Sequence, residues 1–175
     1  MLIRKCGKDD IENTARFYIR VVNRMMETNT NYPKWRSDYP DLHSVVSAFE
    51  SGSQYICIVD GKIAGAFVLN DDPGGAYENG DWSVQLESGQ YRVIHTLAID
   101  ESLRGSGIAA RIVGYCLESS RKDGYRAVRV DVVPENIPAE RLYTKLGFRF
   151  AGGSPIYRFS DFLNIIFSKN KEIGE

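Results

Sequence analysis

A change of hydrophobic period near the middle of the chain organises the rest. Val93, Ile94, Leu97 and Ile99 form an apolar, β-branched run of the kind that makes a largely buried strand. Glu101 to Gly105 break that run. From Ile108 onward Ile108, Ala109, Ile112, Val113, Cys116 and Leu117 recur at helical spacing. A strand therefore leads through a short loop into a helix, which Gly124 ends with Arg121 and Lys122 in its last turn.

The same reading along the chain gives an alternation of helices and strands. Leu2 to Lys5 reads as an edge strand. Lys8-Asp9-Asp10 can cap a helix over Ile11 to Glu27, with Ile11, Ala15, Tyr18, Ile19, Val22 and Met26 on one stripe. Asp41 opens a short helix through Phe49, with Leu42, Val45, Val46 and Phe49 inward. Gln54 to Val59 and Ile63 to Leu69 are strands joined through Asp60-Gly61, a hairpin signal. Asn70 to Gln90 is polar and glycine-rich and reads as a loop or hairpin extension. Ala127 to Val133 is a buried strand, Ala139 to Leu146 a helix stopped by Gly147, and Phe148 to Ala151 and Leu163 to Phe167 the last strands. The tail from Lys169 to Glu175 is expected to fray. No repeat or linker interrupts the pattern, so residues 1–175 read as one domain of mixed α/β type.

The loop before the central helix carries chemistry. The first amides of a helix have no acceptor within it, and the helix dipole adds partial positive charge there. Gly105 and Gly107 lack a Cβ, so an anion can come close; Arg104 adds a cationic fork and Ser106 a hydroxyl. Together they describe a pyrophosphate cradle. Gly105-Ser-Gly107-Ile-Ala-Ala110 also matches a permissive dinucleotide fingerprint. Against that reading, Asp100 to Arg104 separate the strand from the first glycine, and the chain that follows is short for a nucleotide domain.

Charge and cysteine content narrow the class. Lys and Arg number 22 and Asp and Glu 23, a balance that leaves no footprint for nucleic acid or an anionic membrane. No apolar stretch has membrane-spanning length, and the first residues lack a signal-peptide layout. Cys6, Cys57 and Cys116 are scattered without CxxC or metal-ligand spacing, and only His43 and His95 are present. These features predict reduced core thiols, a cytoplasmic setting and no metal.

A second informative stretch runs from Asn136 to Phe148. Pro138 suits a first helical turn, Ala139 leaves room for a close neighbour, and Tyr143 lies one turn further on the same face. A phenol there can give a proton to a leaving group, or can simply pack. The two stretches together resemble the GNAT superfamily of N-acetyltransferases. Arg104-x-x-Gly107-x-Ala109 matches that family's Q/R-x-x-G-x-G/A loop, and Leu97-Ala98-Ile99 stands at its pantetheine-binding strand. Asn136-x-x-Ala139-x-x-Leu142-Tyr143-x-Lys145-x-Gly147-Phe148 matches its second motif. The order of elements agrees from Ile3 to Phe167, and Glu101 replaces a frequent proline.

The resemblance implies a central mixed sheet of about seven strands flanked by about four helices, and acetyl-coenzyme A as co-substrate. In this family the central strand and the strand like Ala127–Val133 splay apart around the thioester. Leu97, Ala98 and Ile99 would then pair with pantetheine, Arg104, Gly105, Ser106, Gly107, Ile108 and Ala109 would hold the pyrophosphate, and Asn136 and Ala139 would meet the pantetheine arm. An amine would attack the acetyl carbonyl directly in a ternary complex, and Tyr143 would protonate the departing thiolate. His95 is the first candidate for the base because it titrates near neutrality; Glu87 and Asp131 are alternatives. Trp35, Tyr39, Glu87 and Asp131, with Asp38, Tyr77, Glu78 and Asp81 nearby in sequence, are candidates to receive a cationic primary amine of a small molecule or peptide. The Trp-x-x-x-Tyr-Pro pattern resembles one in uncharacterised bacterial members, and the family resemblance implies a monomer or homodimer. Two other classes remain open at this point: a non-catalytic acyl-coenzyme A sensor on the same fold, and a dinucleotide-binding oxidoreductase. Thiol release with an amine panel separates the first from an enzyme, and thermal stabilisation by NAD rather than coenzyme A would mark the second.

Overall fold

The computed structural model describes residues 1–30, 35–74, 81–82, 84–134, 136–155 and 163–169. Among the described residues seven strands and four helices follow one another as β1 (Leu2–Lys5), α1 (Ile11–Glu27), α2 (Leu42–Glu50), β2 (Gln54–Val59), β3 (Lys62–Asn70), β4 (Tyr91–Ile99), α3 (Ile108–Lys122), β5 (Ala127–Val132), α4 (Ile137–Lys145), β6 (Arg149–Pro155) and β7 (Leu163–Lys169). Short 3-10 turns stand at Lys8–Asp10 and Glu101–Leu103. The hydrogen-bonded strand order is β1-β2-β3-β4-β5-β7-β6. The sheet is mixed: β4 and β5 are parallel, whereas β1 with β2, β2 with β3, β5 with β7 and β6 with β7 are antiparallel.

Local chemistry explains most of the boundaries. Asp41 and Ser44 form a reciprocal box at the start of α2, each backbone N–H donating to the other's side chain at 2.9 Å. At the entry to α1 the Asp10 carboxylate accepts from the Gly7 amide at 2.7 Å and pairs with Arg4. The Arg4 guanidinium holds the Asp10 carboxyl below its usual range. Asp60 and Gly61 both take positive φ, 49° and 73°, as a two-residue hairpin turn between twisted strands requires.

The chain divides into two compact units, residues 1–69 with 95–112 and residues 70–94 with 113–175. The core of the first joins Ala15, Phe17, Tyr18, Val21 and Met25 of α1 to Val45 of α2, Ile56 of β2, Ala66 of β3 and Ala98 of β4. The helical period of α1 is as expected, but its buried face is rotated. Phe17, Val21 and Met25 turn inward, while Ile19 and Met26 are 42 % and 44 % exposed. Leu42 on α2 is likewise 49 % exposed. Ala15, Tyr18 and Val22 of the expected stripe are buried as well, so the buried face is shifted toward Phe17, Val21 and Met25 rather than replaced.

The core of the second unit is built on Trp82, Tyr91, Val93, Ala127 and Ala151, with Leu86 packed against it. Arg129 of β5 lies in this core at 1 % exposure, its guanidinium carbon 3.6 Å from the Trp82 ring centre and 3.9 Å from that of Tyr91. A cation enclosed by two ring faces keeps a favourable electrostatic environment while giving up water. Cys6, Cys57 and Cys116 are buried free thiols. Among the described residues no helix is long and apolar enough to cross a membrane.

Gly65 in β3 marks a close approach within the first unit. A methyl group there would stand 2.9 Å from Ile112 Cδ1, 3.0 Å from Ile99 Cδ1 and 3.1 Å from the Ala98 carbonyl oxygen. Backbone cannot yield as a side chain does, so Gly65→Ala is expected to destabilise the protein by about 1–3 kcal/mol. Urea unfolding checks this: the midpoint should fall with an unchanged slope, and an unchanged midpoint would refute the close packing.

Candidate active site

β4 pairs with β5 from Tyr91 opposite Ala127 to Ile94 opposite Val130. His95 is the first residue of β4 past that register, and it is half-buried. Thr96 follows with φ of 48°. A β-branched residue in the left-handed region is an outlier that costs on the order of 1–3 kcal/mol and persists only where its surroundings impose it. Such a residue inside a strand interrupts the alternation of faces and re-aims the groups that follow, as a bulge does. Those groups belong to Leu97, Ala98 and Ile99, the residues expected to pair with pantetheine. Ala98 is buried, and Leu97 and Ile99 are half-buried. The pattern of apolar positions gave no sign of Thr96, because threonine is an ordinary strand residue and φ leaves no trace in hydropathy.

Beyond β4 the chain enters the 3-10 turn. The Asp100 side chain accepts from the Ser102 amide at 3.1 Å and from its hydroxyl at 2.6 Å. These bonds hold the Asp100 carboxyl below its usual range. Arg20 and Arg24 of α1 reach Asp100 and Glu101 at 3.3 Å and 2.7 Å, so the glutamate at the frequent proline position becomes a tether. Gly105 and Gly107 then take φ of 77° and 84°, with nothing within 4 Å of where a Cβ would stand. Both glycines and Arg104 are exposed. The first bond inside α3 runs from the Arg111 N–H to the Gly107 carbonyl at 3.1 Å, which leaves the amides of Ile108, Ala109 and Ala110 without a partner in the helix. Among the described residues no side chain caps them. The Ser106 hydroxyl donates to the Leu103 carbonyl at 2.5 Å. Open amides, two left-handed glycines and an exposed arginine fit a diphosphate.

In the second unit α4 begins at Asn136, whose side-chain oxygen accepts from the Ala139 amide at 3.3 Å. Asn136 is thus the N-cap of α4, which begins at Ile137, two residues before the start expected at Ala139. Ala139 is half-buried. Tyr143 is 4 % exposed, with its ring centre 5.2 Å from that of Phe148. Burial raises its pKa well above the phenol range, so the hydroxyl keeps its proton throughout the physiological range. The same shift makes the phenol a weaker acid in the resting site.

The remaining predicted residues fall in different settings. Trp35 is half-buried and meets Tyr18 edge-on, ring centres 6.2 Å apart at 78°, and Tyr39 is half-buried. Glu87 is exposed in the turn before β4, its amide donating to the Gln90 side chain at 2.9 Å. Asp131 is half-buried on β5. Asp38 is exposed and ion-paired with Arg36, and Asp81 is exposed. Tyr77, Glu78, Tyr32 to Lys34 and the tail beyond Lys169 lie outside the described residues. Among the described residues no cluster of three His, Cys, Asp or Glu side chains could hold a metal.

The positive φ of Gly107 is the most sensitive point of this loop. Space alone would admit a methyl group, but an L residue at that φ costs about 1–2 kcal/mol. Gly107→Ala should therefore lower the thermal midpoint measurably, and calorimetry that finds wild-type melting would show that the loop does not need the left-handed conformation.

Comparison with known proteins supplies the context. The model of the acetyltransferase (GNAT) family matches residues 22–148. An uncharacterized N-acetyltransferase of Methanocaldococcus jannaschii is 28 % identical over 146 residues, 83 % of this chain and 59 % of that protein. The chain therefore spans well under two thirds of that relative's length. A mycothiol acetyltransferase of Brachybacterium faecium is 36 % identical over 59 residues, 34 % of this chain and 18 % of that protein. Among solved structures, a GNAT-family acetyltransferase of Streptococcus agalactiae superposes with a TM-score of 0.80 at 21 % identity, covering 98 % of this chain and 95 % of the other. A putative acetyltransferase of Salmonella typhimurium, solved with its cofactor acetyl-CoA, gives 0.70 at 15 % identity, covering 99 % and 95 %. The chain belongs to the acetyltransferase (GNAT) family.

Proposed function

We propose that the protein transfers an acetyl group from acetyl-coenzyme A to a primary amine of a small molecule or peptide, in a ternary complex and without metal. The observation that carries this reading is the run of open amides at the start of α3, preceded by Gly105, Gly107 and Arg104. In this proposal the amides of Gly107 to Ala109 and the Arg104 guanidinium hold the pyrophosphate. The main chain of Leu97 and Ile99 pairs with pantetheine as an added strand would. The side-chain nitrogen of Asn136, whose oxygen caps α4, meets the arm, and Ala139 gives it room.

The amine nitrogen attacks the acetyl carbonyl carbon, and main-chain amides after Thr96 steady the charge that develops on oxygen. As the carbon–sulfur bond breaks, Tyr143 gives its proton to the departing sulfur. The attacking amine loses a proton to His95, with Asp131 or Glu87 as alternatives, and solvent restores the phenol. Trp35 and Tyr39 line the acceptor side. The three buried thiols suit a reducing cytoplasm, and residues 1–175 act as one catalytic domain, as a monomer or homodimer.

Thiol release from acetyl-coenzyme A in the presence of spermidine, free amino acids, an aminoglycoside and an alanine-terminated peptide tests the reaction. Release with at least one amine is expected; binding without release from any of them would favour a sensor. Tyr143→Phe should lower kcat by about 100-fold with little change in coenzyme A affinity, and an unchanged kcat would remove its role. Arg104→Ala should weaken coenzyme A binding by roughly tenfold, as loss of a charge-assisted bond implies; an unaltered Kd would place the pyrophosphate elsewhere.

A further inference from the structure

The left-handed turn at Thr96 has a visible support within the first unit. Tyr18 projects from α1 into the core and is fully buried. Its hydroxyl lies 3.4 Å from Thr96 Oγ1, in hydrogen-bond contact. The same hydroxyl stands 3.5 Å from Gln54 Nε2, at most sharing one of its two protons with a carbonyl. Gln54 is buried too, and its amide nitrogen is fixed by the carbonyls of Phe67 at 3.0 Å and Tyr55 at 3.1 Å. The Tyr18 ring is wedged by Phe17, centres 5.7 Å apart, and by Trp35. Burial keeps the phenol neutral, so it acts as a fixed hydrogen-bonding group rather than a charge.

A strained residue stays strained only where neighbours hold it. The held atom here is the side-chain oxygen of the residue whose φ is unfavourable, and the holder is anchored by β2 on one side and by aromatic packing on the other. We propose that Tyr18 is a positioning residue that fixes the left-handed turn at Thr96 and so sets where the main chain of Leu97 to Ile99 meets the thioester. The inference rests on the acetyltransferase reading. It adds a residue of α1, outside both motifs, to the machinery. Trp35, a candidate on the acceptor side, touches the same ring, so displacement of α1 or of Trp35 would reach β4 through Tyr18.

Such a role separates from simple packing. Tyr18→Phe keeps the ring and removes the hydroxyl, so kcat should fall about tenfold while the KM for acetyl-coenzyme A stays within about twofold. Glycine adopts positive φ without strain and has no side chain to hold, so Thr96→Gly provides a second background. There Tyr18→Phe should change kcat by less than about twofold, because the coupling is gone. A loss of melting temperature with no loss of kcat, or the same fall in both backgrounds, would overturn the proposal. A ligand-free measurement runs beside these. The HN–Hα coupling and backbone shifts of Thr96 should move toward extended values in Tyr18→Phe, and unchanged values would show that Tyr18 does not hold the turn. If wild-type protein neither binds nor consumes acetyl-coenzyme A, the acetyltransferase reading fails and the catalytic part of the inference with it. The Thr96 spectrum still decides whether Tyr18 holds the turn.

Discussion

A helix cannot satisfy its own first amides, and in this protein nothing else in the described chain satisfies those of Ile108, Ala109 and Ala110. That unmet demand is the constraint on which the functional account depends. It explains why the residues ahead of α3 are Gly105 and Gly107 at positive φ, with open space where side chains would stand. It also explains the value of an exposed Arg104 beside them. Partial positive charge at the start of the helix and an arginine four residues before its first residue both favour an anion in this loop. A loop built only to connect β4 to α3 would have been cheaper to fill with a capping serine or aspartate.

The strand that feeds this loop is under its own constraint. β4 gives up its pairing with β5 after Ile94 and Val130 and then takes the improbable turn at Thr96. Gly65 lets β3 lie close against Ala98 and Ile99, and the ion pairs from Arg20 and Arg24 hold the turn at Asp100 and Glu101. Exposed ion pairs of this kind contribute little stability each, but they fix direction. The first unit thus holds β4 from one flank by close packing, from α1 by hydrogen bonding, and at its end by charge.

The element plan was largely legible in the sequence, since it rests on period and punctuation. The limits of α1, the Asp41 cap of α2 and the Asp60-Gly61 turn are all local signals, and the structure follows them. What hydropathy could not supply was tertiary choice. Ile19 and Met26 are apolar and correctly spaced yet exposed, while Phe17, Val21 and Met25 are buried. Arg129 is buried on β5, and only the fold brings Trp82 and Tyr91 to its guanidinium. The site divides in the same way. The glycine loop is readable because it works within a few residues of itself, whereas sequence reading misses the Asn136 cap although it is equally local. The turn at Thr96 and its contact with Tyr18, 78 positions away, belong to no local pattern.

The most direct measurement of the central claim is a backbone-amide titration of the protein with coenzyme A, followed by NMR. The account predicts saturable shifts concentrated at Gly105, Gly107, Ile108, Ala109 and Ala110, and no comparable response to NAD. Amides there that remain still while coenzyme A is added to saturation, or shifts confined to other parts of the chain, would contradict it.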